Sequence, residues 1–216
     1  MTIPPIDGSV SRPDQIRNFV ERYEGGECLF LMPVAISTNA AVLEGLAATP
    51  ARFDEFAANF KRALGFAPSI GARLITDQQC AAVRFLNQSR GERLRTPRIL
   101  LASTDVPNGE TLNGTVENVA NRTVELLLIS DAGQVQNLSS LMKPGIDVLA
   151  FSIGMQKSDG PARPQLLMAV ATAQPVDALK LQRPVAADQF FPKVLADTQA
   201  EGTNMTAAAR YFRLGK

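Results

Sequence analysis

The sequence predicts an α+β protein in two units: a small layer with helices on one face of a sheet, then an antiparallel β-sandwich followed by a C-terminal helix. Three observations predict it. Helical periodicities and strand-like runs alternate up to about residue 90, short strand-like runs punctuated by turn residues follow, and a polar, basic stretch separates the two. A length of 216 residues fits this division, since domains commonly hold about 100 to 150 residues. With 45% hydrophobic and 20% charged residues, the composition is that of a globular protein able to bury a core.

Residues 1–12, with Pro4, Pro5, Gly8 and Ser9, read as a linker tail, and the chain reads as the C-terminal part of something longer whose export signal or anchor lies elsewhere. The first unit spans residues 13–90. Ile16, Phe19, Val20 and Tyr23 fall at helical spacing behind a Ser11 cap and Pro13, and Gly25 with Gly26 ends that helix. Leu29, Phe30, Leu31, Val34 and Ile36 mark a first strand, a turn at Thr38 and Asn39 follows, and residues 41–47 form a second.

Thr49 caps the next helix with Pro50 behind it, Asp54 and Glu55 belong to its first turn, Lys61 and Arg62 to its last, and Gly65 closes it. Its apolar face, Phe53, Phe56, Phe60 and Leu64, is suited to covering a sheet. Ile70, Ala72 and Leu74 alternate along a third strand. Asp77 then caps a helix carrying Cys80, Val83 and Leu86.

Arg90, Arg93, Arg95 and Arg98 with Gly91 and Pro97 mark a solvated connector. The sandwich occupies residues 98–182, with strand-like runs at 99–102, 111–119, 123–130, 135–138, 147–153 and 165–172. Leu126, Leu127, Leu128 and Ile129 in a row predict a central strand covered on both faces, and residues 131–133 a tight hairpin. In the remaining segment, residues 183–216, a helix runs over 184–200 with Pro192 near its start, and Gly202 stops it. The tail with Tyr211 and Phe212 is either a last strand or an extension docking on one of the units.

The function classes that the chain excludes are informative. With 22 basic and 21 acidic residues there is no electrostatic footprint for nucleic acid, and no apolar run approaches the roughly eighteen residues of a membrane span. The absence of histidine removes the usual general base, the serine and cysteine triads and the commonest zinc ligand; no metal or cofactor is expected. Neither a Gly-rich phosphate loop nor a kinase catalytic loop is present. The acids Glu44, Asp54, Asp105 and Asp147 are scattered, so a hydrolase would need an unexpected convergence of two carboxylates. Asn-x-Ser/Thr triplets begin at Asn87, Asn113, Asn121, Asn137 and Asn204 and read as turn chemistry.

Cys28 and Cys80 are the only cysteines. They read as a buried free pair or as a disulfide; the even count without a catalytic partner favours the bond, which would staple the start of the first strand to the last helix of the layer and point to an oxidising compartment. Arg73, read as lying on a middle strand beside Gly71, is either half of a surface ion pair or a polar residue in a ligand cleft. Tyr211 and Phe212 are candidate partner contacts.

Phe19, Tyr23, Gly25, Gly26, Cys28 and Pro33, continued by Phe53, Phe56, Phe60, Gly71, Arg73 and Cys80 and then by Gly109, Gly114, Gly133, Gly145, Phe151 and Tyr211, resemble the accessory region C-terminal to the kinase domain in alphaproteobacterial serine/threonine kinase-like proteins. Similar regions occur in multidomain proteins with caspase-like modules. The resemblance implies a non-catalytic periplasmic sensor or partner-binding region, tethered to a cytoplasmic kinase domain and contacting a protein or cell-envelope component. The first unit alone, through its element order and its Leu43, Glu44, Gly45 strand, is similar to BON modules. An alternative is a structural subunit of an envelope secretion or signalling complex.

Overall fold

A computed structural model describes residues 10–26, 28–90, 96–145, 147–156 and 160–215. The fold is α+β, and the chain divides into Met1–Arg84 and Phe85–Lys216.

The first unit begins with α1 (Arg12–Arg22). Ser11 is its N-cap, accepting the Asp14 backbone N–H, and Arg12 donates to Gln15 and to the Leu64 carbonyl. Ser11 and Arg12 therefore belong to the helix start and not to the linker tail; the rest of the tail, residues 1–9, lies outside the described residues, as do residues 91–95 of the connector. The helix ends at Arg22 because Tyr23 turns extended, two residues before Gly25.

β1 (Leu29–Ser37) and β2 (Ala40–Ala47) form an antiparallel hairpin, α2 (Pro50–Leu64) crosses over, and β3 (Ser69–Leu74) returns parallel to β2, giving the order β1-β2-β3. Pro33 lacks an N–H for a ladder, so it sits on the edge strand β1, where the register shifts between Pro33 and Ala35. Phe53, Phe56, Phe60 and Leu64 on α2 and Ile16, Phe19 and Val20 on α1 meet Leu29, Leu31, Ala41, Leu43 and Ala47 of the sheet in one core.

Three end signals differ from expectation. Thr49 occupies the N-cap position of α2 without a side-chain bond, and Asp54 and Glu55 fall beyond the first turn, which holds no acid. Gly65 closes α2 at φ 83°, giving its N–H to Lys61 as a left-handed cap should. Before α3 (Cys80–Gln88) the cap is Thr76, not Asp77: Thr76 and Gln79 form a capping box around a short 3-10 turn.

The second unit has two sheets. One has the order β4-β6-β10-β9, from β4 (Arg98–Leu101), β6 (Thr111–Glu117), β9 (Met142–Pro144) and β10 (Val148–Gly154). The other has the order β12-β8-β7-β11-β13-β5, from β5 (Asp105–Val106), β7 (Thr123–Ile129), β8 (Gln134–Asn137), β11 (Arg163–Thr172), β12 (Val185–Ala186) and β13 (Met205–Leu214). Ile99, Leu112, Val116, Phe151 and Ile153 from the first meet Leu126, Leu167, Ala169 and Phe212 from the second in a shared core, the mark of a sandwich.

Each predicted strand run contains a strand. β5, β9 and β12 escaped prediction because two or three residues show no period. The leucine run does lie inside its sheet, between β8 and β11, with Leu126 and Leu127 buried on opposite faces. The tail is a strand: β13 pairs with β11 over its whole length, and among the described residues only its parallel pairing with β5 departs from an antiparallel sandwich. α4 (Ala187–Ala200) starts later than residue 184 and buries Phe190, Phe191 and Val194, with Phe191 stacked on Phe85 at 4.6 Å.

Gly114 lets the core close. A Cβ there would lie 2.3 Å from the Leu100 carbonyl oxygen and 2.5 Å from the Phe151 ring. Gly114→Ala must push a paired strand away, and we expect a stability loss of about 1–3 kcal/mol by urea denaturation. A neutral result would show that β4 and β6 are not packed this closely.

Candidate functional site

The sandwich ends in a pocket of about 320 Å³. Three segments line it: Asn118, Ala120, Asn121 and Arg122 of the β6–β7 turn, Ala171 and Ala173 where β11 ends, and Asn204 and Thr206 where β13 begins. The pairing of β11 brings them together, since Ala171 stands opposite Val124 of β7 on one side and Thr206 of β13 on the other. Alanines at the ends of these strands leave the space unfilled.

The turn is built by asparagine. Asn118 and Asn121 have φ of 60° and 58°, a left-handed conformation that asparagine tolerates better than most side chains. Arg122 then clamps the turn to β13: one terminal nitrogen donates to the Thr206 hydroxyl at 3.0 Å and the other to the Asn118 carbonyl. The Asn118 amide donates to the Thr96 carbonyl at 2.8 Å. The wall is thus held by hydrogen bonds, while Asn121 and Asn204 stand exposed at the rim.

Of the Asn-x-Ser/Thr triplets, Asn121 lies in a turn. Asn87 is in α3, Asn113 in β6, and Asn204 precedes β13, so the turn-chemistry reading fails for those three, whereas Asn137, at the end of β8, accepts the Ser139 N–H at 2.8 Å two residues on, the Asx bond of a turn. Asn137 also ties strands and loop together, its amide donating to Glu125 and to the Leu179 carbonyl, each at 2.8 Å. The Ser139 hydroxyl donates to the same Glu125 carboxylate and accepts the Leu126 N–H, so this hydroxyl is engaged in holding β7 to the chain after β8.

Cys28 and Cys80 are bonded, with Cα atoms 5.0 Å apart, joining the residue before β1 to the first residue of α3. Arg73 lies on the edge strand β3 and not on the middle strand, which is β2, because the crossover through α2 returns β3 to the outside. Its guanidinium is 4.0 Å from Glu44 with 43% of the side chain exposed, a surface pair worth about 0–1 kcal/mol. Phe212 is 0% exposed inside the sandwich core and offers a partner nothing, whereas Tyr211, on the alternate face of β13, is half-buried.

No family model, curated protein or solved structure matches the chain.

Among the acids singled out from the sequence, Glu44 faces Arg73 and Asp105 lies 3.8 Å from Arg213. Among the described residues no cluster of three His, Cys, Asp or Glu side chains could hold a metal ion, and no helix is long and apolar enough to cross a membrane. Asp177 accepts a 2.8 Å hydrogen bond from Lys180, and this bond, with the ammonium charge, holds its carboxyl below the usual range. The contact would be lost as pH falls through that lowered value; it is a fully exposed contact of the loop before β12.

The pocket residues were not legible beforehand. Asn121 and Asn204 appeared only as triplets, and nothing in the sequence says that β7 and β13 flank the same strand.

Proposed function

We propose that the chain is a non-catalytic, extracytoplasmic binding module of a bacterial signalling protein, with the sandwich-end pocket as its ligand site. The pocket carries this reading: segments distant in sequence converge on a cleft lined by amides, a hydroxyl and one guanidinium, held rigid by the Arg122 clamp. Such a set binds and orients but offers no nucleophile activated by a base and no carboxylate for proton transfer. The Cys28–Cys80 bond supports an oxidising compartment, since structural disulfides persist there and are rare in the cytosol. The kinase-like resemblance supports a role as the sensing part of a longer protein whose catalytic domain lies on the other side of a membrane.

One observation favours a second reading, a structural subunit of an envelope complex. β3 is an edge strand whose residues are all exposed except the half-buried Ile70, and among the described residues it pairs with β2 alone. It carries no proline or bulge to discourage another strand from adding to it.

Hydrogen exchange separates the two. The oxidised chain is mixed with soluble peptidoglycan fragments and with detergent-solubilised envelope proteins. Protection of residues 118–122, 171–173 and 204–206 is the expected result. Protection confined to residues 69–74 would replace the pocket reading with the assembly reading, and no protection anywhere would remove both.

A further inference from the structure

We propose that β3 is the seam of a twofold dimer, in which the β3 strands of two copies pair antiparallel and join their three-stranded sheets into one; this rests on the exposed edge behind the second reading above and names its occupant. The backbone sets which residues can pair. The Ile75 N–H donates to the Ala47 carbonyl at 3.0 Å, so by alternation Arg73, Gly71 and Ser69 turn their backbone groups toward β2, and Leu74, Ala72 and Ile70 turn theirs to the outer edge. Among the described residues β3 pairs with β2 alone.

A twofold axis through the sheet must fall on one residue of β3, and the sequence discriminates among the central choices. Centred on Gly71, the pairing sets Leu74 against Pro68 of the second copy, which has no N–H to give. Centred on Arg73, it sets two like charges directly opposite each other. Centred on Ala72, it pairs Ala72 with itself and Ile70 with Leu74 in both directions, each pair exchanging both N–H···O bonds. The side chains suit this register. Ile70 packs on the core of the first unit, and Ala72 and Leu74 alternate onto the same face, so Leu74, 45% exposed, comes to lie against Ile70 of the second copy beside a small residue at the axis. On the other face Arg73 stands opposite Gly71 of the second copy. The subunit by itself does not require that glycine: its φ is outside the left-handed region, and a Cβ would stand 3.6 Å from the Leu43 carbonyl oxygen, an ordinary contact. In the dimer its bare backbone leaves room for the long arginine side chain.

The test is sedimentation velocity of the full oxidised chain from about 1 µM to about 1 mM, where a reversible rise to twice the chain mass is expected. Leu74→Lys, which changes an exposed side chain, and Ala72→Pro, which removes the N–H at the axis, should each weaken association at least about tenfold, with thermal unfolding of Leu74→Lys unchanged. Ala72→Cys should link two copies on mild copper-catalysed oxidation, since the Cα atoms of a hydrogen-bonded pair lie about 5.5 Å apart, within disulfide reach. Ser69→Cys should not, because six residue steps separate its two copies by about 20 Å. A chain that stays monomeric at about 1 mM overturns the second copy as occupant and leaves the assembly reading to the exchange experiment above. A dimer indifferent to Leu74→Lys and to Ala72→Pro, or linked by Ser69→Cys and not by Ala72→Cys, overturns β3 as the seam.

Discussion

Replacing Cys28 and Cys80 together by serine should destabilise the N-terminal unit by about 4 kcal/mol. The bond joins residues 52 apart in sequence, and for a loop of that length the chain-entropy relation gives about 4 kcal/mol at room temperature through restriction of the unfolded chain. The folded state keeps its other ties at this point: the Ile75 N–H still donates to Ala47 at 3.0 Å, and the Thr76 and Gln79 capping box with its buried Gln79 is untouched. The double variant should therefore fold to the same structure and unfold at lower urea, with a steeper dependence on denaturant because the uncrosslinked chain exposes more surface. A loss below about 1 kcal/mol would mean that the bond restrains little of the unfolded ensemble.

Phe60→Ala should be comparably damaging, at about 3–5 kcal/mol. Phe60 is 0% exposed, and its ring lies 5.5 Å from Phe19, 5.6 Å from Phe56 and 5.3 Å from Phe66, the first and last of these edge-on. Truncation removes an aromatic side chain from the contact between α1 and α2 and opens a cavity that two helices anchored at their caps cannot collapse around. The measurement is urea denaturation followed by far-UV circular dichroism. A loss under about 1.5 kcal/mol would show that the aromatic cluster rearranges freely.

These two effects lie where the sequence was most legible. Phe53, Phe56, Phe60 and Leu64 repeat at helical spacing between a Pro start and a Gly stop, so local periodicity and end signals agree and the helix follows. The longer strands of the sandwich were legible for the same reason, being bounded by turn residues, whereas β5, β9 and β12 are too short to show a period.

What depends on long-range pairing was not legible. The position of β3 at the sheet edge, which puts Arg73 on an edge strand, follows from a crossover that no local pattern encodes. Tyr211 and Phe212 are adjacent and aromatic, yet alternation along β13 puts Phe212 in the core, and this could be foreseen only by knowing that the tail is a strand. The pocket shows the limit most clearly. Its polar residues are ordinary turn and strand-end residues one by one, and they become a site only because β7, β11 and β13 lie side by side.

The staple between β1 and α3 underlies both the expected stability of the first unit and the proposal that it works in an oxidising compartment. The direct test is the intact mass of the chain recovered from its native cells, with every free thiol alkylated at the moment of lysis. We expect a chain lighter than its reduced form by two hydrogens and bearing no alkyl group on Cys28 or Cys80. A chain carrying two alkyl groups would contradict the bond, and the extracytoplasmic reading would fall with it.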